Sequence, residues 1–214
     1  MPQAAMLNLQ GEEVGQIELA ATLFDVEPNH DLIHQALLYV DNNRAPVRGM
    51  TLDRSQVNVS GVKIYRQKGL GRARHGDKGA PTFVGGAKSF APKGARRRHR
   101  MPKKMRRAAV AGVLTAQFRK GLMRFVDDLR PAEVNTRLMA DALESLRCSR
   151  GKILALVGTE EYYNEALDKS CRNLPKFTLR CAPHMNVRDL LVADHIIVTR
   201  GALALMTSGG GTDA

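Results

Sequence analysis

The chain runs to 214 residues, 43% of them hydrophobic, enough for one sizeable buried core, and it contains no apolar run long enough to span a bilayer. Aromatic residues make up only 5% and Trp is absent, so extensive stacking on aromatic platforms is poorly supplied. A formal net charge of +12 calls for a polyanionic partner, of which nucleic acid is the commonest.

Glu12, Glu13 and Glu18 interrupt the first twenty residues and argue against a secretory signal or an organellar presequence, so the expected compartment is the cytoplasm. From Glu13 to Leu19 the sequence alternates well enough for a strand. Asn29 is a natural N-cap for a helix with Leu32, Ile33, Ala36, Leu37 and Val40 on its apolar face, stopping near Asn42 and Asn43.

Apolar periodicity then disappears for almost sixty residues. Between Arg44 and Met101, glycines are scattered among cations and isolated apolar residues, Tyr65, Phe83, Val84 and Phe90 among them. Such a stretch buries too little apolar surface to offset its own ordering entropy, and predicts an extended basic arm, mobile when free and ordered against its partner. Charge is concentrated there. From Arg44 to Arg107 there are 19 Lys and Arg against Asp53 and Asp77, a local balance of +17, while the remaining residues carry 14 basic and 19 acidic groups, a balance of −5.

Pro102 suits a first helical position, and Lys103 to Lys120 follows with Met105, Ala109, Val113, Ala116 and Phe118 for an inner face and Gly121 as the stop. Leu122 to Val126 reads as a strand, and Asn135 or Thr136 can cap a helix bearing Leu138, Met139, Ala142, Leu143 and Leu146. Ile153 to Val157 is continuously apolar, as a parallel strand covered on both faces must be. A helix from Glu160 to about Cys171, a strand at Phe177 to Cys181, a short helix from Asn186 through Val192 and a strand at Ile196 to Thr199 continue the alternation. The expected fold is α/β, a mostly parallel sheet covered by helices, with the long basic loop inserted after the first helix. The expected organisation is one globular domain from residues 1–43 and 102–207, the basic arm at 44–101, and a glycine-rich flexible tail at 208–214.

Enzyme-like patterns fail on inspection. Gly69, Leu70 and Gly71 open like a dinucleotide fingerprint, but Arg74 stands where the third glycine belongs. Gly71 to Gly76 has phosphate-loop spacing, but Asp77 follows where lysine is required. His30 and His34 mimic a zinc helix with Asp31 in place of Glu and no third ligand, and Cys148, Cys171 and Cys181, with 22 and 9 residues between them, form neither a disulfide framework nor a zinc knuckle. Neither metal nor cofactor is expected, and no catalytic residue emerges.

The arm has the chemistry of a phosphate-binding chain, because glycine lets the backbone approach closely while Arg and Lys neutralise charge on either side. Its cations are Arg44, Arg48, Arg54, Lys63, Arg66, Lys68, Arg72, Arg74, Lys78, Lys88 and Lys93. A second cluster, Arg96, Arg97, Arg98, Arg100, Lys103, Lys104, Arg106 and Arg107, runs into the next helix, where cations oppose the macrodipole and invite an anion.

The run Tyr65, Arg66, Gln67, Lys68, Gly69, Leu70, Gly71, Arg72, Ala73, Arg74, His75, Gly76 closely resembles the WRQKGTGRAR signature of the bacterial ribosomal protein L4 family. The resemblance continues through Pro81 to Gly86, Phe90 to Lys93, and Pro102 to Arg106, where the family has a similar LPKKVR helix start. It implies a non-enzymatic constituent of the large ribosomal subunit whose arm binds large-subunit rRNA, supports assembly and helps line the peptide exit tunnel near ribosomal protein L22. Carried over, Gln67, Lys68, Gly69, Leu70, Gly71 and Arg72 would form the tunnel tip, with Tyr65, Arg66, Arg74, His75, Lys78 and Lys88 holding the arm to RNA. Neither a membrane nor a small-molecule substrate is implied. Tyr65 replaces the family's frequent Trp, Leu70 a small hydroxyl residue, and Val62 stands where a cation is common.

Overall fold

A computed structural model describes residues 2–46, 49–94, 98–131 and 133–208. Arg48, Arg96, Arg97 and the tail beyond Ser208 lie outside the described residues. The chain divides into two compact units, Met1–Asn43 with His99–Ala214, and Arg44–Arg98.

The first unit is built on a six-stranded sheet of order β2-β1-β3-β6-β4-β5: β1 (Gln3–Leu7), β2 (Glu13–Glu18), β3 (Met123–Val126), β4 (Ile153–Val157), β5 (Phe177–Cys181) and β6 (His195–Thr199). Only β2 is antiparallel to its neighbour, and it forms an exposed edge carrying Glu13 and Glu18. Charge on such an edge discourages pairing with another chain. The helices are α1 (Ala21–Phe24), α2 (His30–Arg44), α3 (Lys103–Arg119), α4 (Thr136–Ser145), α5 (Thr159–Tyr162), α6 (Glu165–Cys171), α7 (Val187–Val192) and α8 (Arg200–Thr207).

Strand residues alternate between two apolar cores, one on each face. Met123, Phe125, Leu154, Leu156, Ile196 and Val198 join Val113 and Leu114 of α3, Leu190 of α7 and Leu203 of α8. Val126, Ile153, Ala155, Val157 and Ile197 face the other way, onto Met139 and Leu143 of α4 and Leu167 and Cys171 of α6. The uninterrupted apolar character of β4 follows directly, since a period of two buries every residue when both faces are covered.

Several expectations need correction. The helix expected over Glu160 to Cys171 is two helices, because the Asn164 side chain accepts the Ala166 N–H at 2.9 Å and restarts the chain as an N-cap. Pro102 precedes α3 with extended backbone rather than entering it. Three elements escaped the sequence reading: β1, α1 and α8. The burial of Phe24 explains α1, since its ring packs edge-on against Phe118 and Phe125 with centroids 6.0 and 6.1 Å apart.

Residues 99–101, read from sequence as part of the arm, belong with the first unit. His99 is held by a reciprocal pair of bonds: its N–H donates to Asn43 Oδ1 at 3.0 Å and its carbonyl accepts from Asn43 Nδ2 at 3.1 Å. Met101 packs against the first core. One side-chain amide thus fastens the two points between which residues 44–98 are inserted.

In open parallel sheets, ligands settle in the crevice where connections from adjacent strands leave to opposite faces. One such point lies between β4 and β6, and the buried Glu161 carboxylate lines it. Its Oε2 accepts the Gly158 N–H at 3.1 Å and the Thr199 hydroxyl at 2.6 Å. A Cβ on Gly201 would meet Glu161 Oε1 at 2.7 Å. The carboxylate forms one wall of this crevice, which stays open between Arg130, Gly158, Thr159, Glu160 and Gly201.

Truncating Leu156, fully buried in the first core, to Ala is expected to lower unfolding free energy by about 3 kcal/mol, measured by urea titration. All three cysteines are free and buried. Burial pushes the Cys171 thiol up to about 12 and raises Cys148 as well. Both should resist a thiol-reactive dye in the native state at pH 8 and react promptly in denaturant.

Candidate nucleic-acid interface

The Arg44–Arg98 unit carries the whole excess charge of the protein. Its 14 Lys and Arg face 2 carboxylates, a balance of +12, and the rest of the chain is neutral with 19 of each sign. Apart from Arg44, the last residue of α2, its described residues form neither helix nor named strand. They are nonetheless tied together locally, which the expectation of an arm ordered only by its partner did not foresee.

The base of the unit is closed by an antiparallel bridge between Met50 and Lys93 and by the Thr51 N–H donating to the Pro92 carbonyl at 3.0 Å. A tight turn at Asp53 follows, with Gln56 and Val57 N–H groups on the Asp53 carbonyl. Both carboxylates are engaged, Asp77 by Arg54 at 2.6 Å and Asp53 by Lys93 at 3.1 Å. Arg54 and Lys93, expected on RNA, therefore also hold the unit's own chain.

The glycine-rich run is a loop whose neck is fastened by the Ile64 N–H on the Gly76 carbonyl at 2.9 Å and by the Tyr65 hydroxyl on the Ala73 carbonyl. Gly69 and Gly71 adopt φ of +87° and +61°, a left-handed region that a side chain enters only with strain. Arg66 donates to the Gly69 carbonyl at 3.3 Å and Lys63 to Gln67 Oε1 at 2.5 Å. Residues 66–74 are all exposed.

Behind the neck, the His75 ring sits edge-on between Tyr65 and Phe83, with centroids 6.3 and 4.9 Å away. Tyr65 and His75, expected on RNA, are half-buried here and spend their rings on this cluster. Next to Phe83 the chain doubles back through Phe83 N–H to Ala80 O, Gly86 N–H to Phe83 O, and Ala87 N–H to Gly79 O. A Cβ on Gly86 would stand 2.2 Å from the Ala80 carbonyl oxygen, so only glycine fits.

Among the described residues, Lys63, Arg66, Lys68, Arg72, Arg74, Lys78 and Lys88 form no salt bridge. Seven cations on one small unit without counter-charges suit a chain of phosphates, spaced to meet several at once. The remaining predicted cations fall in different places. Arg44 ends α2 and Arg98 closes the basic unit, whereas Arg100, Lys103, Lys104 and Arg107 lie exposed in the first unit at the start of α3. Arg106 is half-buried there with its guanidinium 5.8 Å from the Tyr39 ring centre. Sequence reasoning noticed Val84 and Phe90 only as apolar residues within the charge; both are fully exposed.

These features define an α/β protein with a doubly covered sheet and a separate, strongly basic unit. The family model described as "Ribosomal protein L4/L1 family" matches residues 17–208. Relatives named "Large ribosomal subunit protein uL4" include those of Desulforudis audaxviator, 38% identical over 204 residues covering 95% of this chain and 97% of the relative, and of Desulfitobacterium hafniense, 35% identical over 203 residues covering 95% and 96%. That of Heliobacterium modesticaldum is 36% identical over 206 residues, covering 95% and 97%. The chain belongs to the ribosomal protein L4/L1 family.

Gly86→Ala is expected to break the turn against Ala80 and so expose residues 44–98 to limited proteolysis at least several-fold faster than in the wild type. The urea transition of the first unit should move little, because the substitution touches none of its cores.

Proposed function

We propose that the chain is a structural constituent of the bacterial large ribosomal subunit, with the unit at 44–98 serving as an extended arm on 23S-type rRNA. The observation that carries this reading is the location of the net charge: all of the +12 resides in one unit whose exposed loop at 66–74 presents Arg66, Lys68, Arg72 and Arg74 around glycines. Arginine forks can bridge neighbouring phosphates or lie on unpaired bases, and the left-handed glycines let the backbone approach them.

On this reading Gln67, Lys68, Gly69, Leu70, Gly71 and Arg72 form the tip that helps line the peptide exit tunnel, near ribosomal protein L22. The basic start of α3, with Lys103, Lys104, Arg106 and Arg107, together with Arg96, Arg97, Arg98 and Arg100, adds a second rRNA contact; Arg44, Arg48, Arg54, Lys78, Lys88 and Lys93 complete the set. The protein works in the cytoplasm within the ribosome, supports subunit assembly and contacts neighbouring ribosomal proteins, and the chemistry of translation is left to RNA.

Sucrose-gradient sedimentation of a lysate, with this chain followed by immunoblot, tests the reading. Co-migration with large subunits through a high-salt wash is expected, and recovery only at the top of the gradient would contradict it. Replacing Arg72 and Arg74 together with Glu should reduce incorporation into large subunits by an order of magnitude or more, because four units of charge change within the loop. Unchanged incorporation would remove these two residues from the interface.

A further inference from the structure

Phe90 combines two features that a free protein has no reason to keep. The residue is 105% exposed, and its backbone φ of +51° is one that bulky residues avoid. The two other non-glycine residues with positive φ have local explanations. Arg147 follows the end of α4, where its N–H and that of Cys148 satisfy helix carbonyls, and the Lys176 carbonyl accepts the Ile153 N–H at the entrance to β5. Among the described residues, no hydrogen bond of Phe90 accounts for its conformation.

The surroundings hold the ring out. Ala87 and Ala91 are buried at 4% and 8%, so the chain is anchored on both sides of a three-residue protrusion whose members, Lys88, Ser89 and Phe90, are all exposed. Ala87 is fixed by its N–H on the Gly79 carbonyl, and the residue after Ala91, Pro92, by its carbonyl on Thr51 N–H. A strained, fully exposed ring on an anchored protrusion is a group displayed for contact.

The charge around it selects the partner. Lys88, which forms no salt bridge among the described residues, lies two residues before the ring, and Lys93, paired with Asp53, lies three after it, in a unit with a balance of +12. An apolar protein surface would have to desolvate those ammonium groups, whereas a nucleotide offers a flat face for the ring and phosphates for the cations. We propose that Phe90 is a base-stacking residue, taking the face of an unpaired base of the large-subunit rRNA. The proposal rests on the rRNA-binding reading above and adds a contact of a different kind, one that depends on ring shape rather than charge.

The test uses the full chain and a full-length 23S-type rRNA transcript, with affinity measured by filter binding for the wild type and for Phe90→Leu, Phe90→Gly and Phe90→Trp. Phe90→Leu and Phe90→Gly should bind about tenfold more weakly, since the face available for stacking is lost, and Phe90→Trp should stay within about twofold of the wild type. The thermal midpoint of Phe90→Gly should equal or exceed that of the wild type, because glycine relieves the backbone strain, so weaker binding could not be ascribed to misfolding.

Leucine binding as tightly as phenylalanine, or tryptophan as weakly as glycine, would overturn the stacking role while leaving the rRNA reading intact. Failure of the wild type to bind the transcript would overturn both. Variants that bind the transcript normally yet wash from large subunits at high salt would place the ring on a neighbouring protein, and would also overturn the proposal.

Discussion

Like charges confined to one short stretch of chain repel, and this constraint governs how residues 44–98 are built. Fourteen cations share 55 residues with Asp53 and Asp77, and both carboxylates are already engaged by Lys93 and Arg54. Such exposed pairs contribute little each to stability, about 0 to 1 kcal/mol, so they cannot offset the repulsion alone. The unit relies on geometry: the Met50 and Lys93 bridge, the neck bonds at Ile64 and Tyr65, the ring cluster centred on His75, and a turn at Gly86 that excludes any side chain. Neutralisation by a polyanion removes the one large term these devices leave standing.

The remainder of the molecule is released from that problem. With 19 basic and 19 acidic residues, it folds as a neutral α/β layer whose strands send alternate side chains into two dry cores. At the ends of β4 and β6, Glu161 ties the two strands together through Gly158 and Thr199. The Asn43 clasp on His99 lets an insertion of this length enter and leave at neighbouring points without disturbing the sheet. The apolar cores and the net charge are thereby assigned to separate parts of one chain.

Sequence periodicity revealed the elements whose burial is one-sided or complete. β4 falls at the bounds read from its apolar run and β5 at those read from the strand–helix alternation, β3, β6 and α7 differ by one residue at one end, and the Asn29 and Asn135 caps bond as their types require, to the N–H groups of Leu32 and Arg137. β1 was missed because only Met6 of its five residues is fully buried, which leaves little alternation to read. α1 is a single turn held by one phenylalanine, too short for any period to register. In the basic unit, sequence located the charge but not the local order, since order there comes from single hydrogen bonds and ring contacts, several of them between residues eight or more positions apart. The ring contacts of Tyr65 and His75 were hidden for the same reason, since nothing in the sequence pairs either ring with a partner eight or ten positions away.

The account stands on the claim that the free cations of the basic unit are matched to phosphates, and the salt dependence of binding measures that match directly. Affinity of the full chain for a 23S-type rRNA transcript, titrated across monovalent salt, should fall with a logarithmic slope of about −7 to −9 if roughly ten phosphates are engaged. A slope near about −2 would mean that most of these cations stand idle on the RNA, and would contradict the central role given to charge.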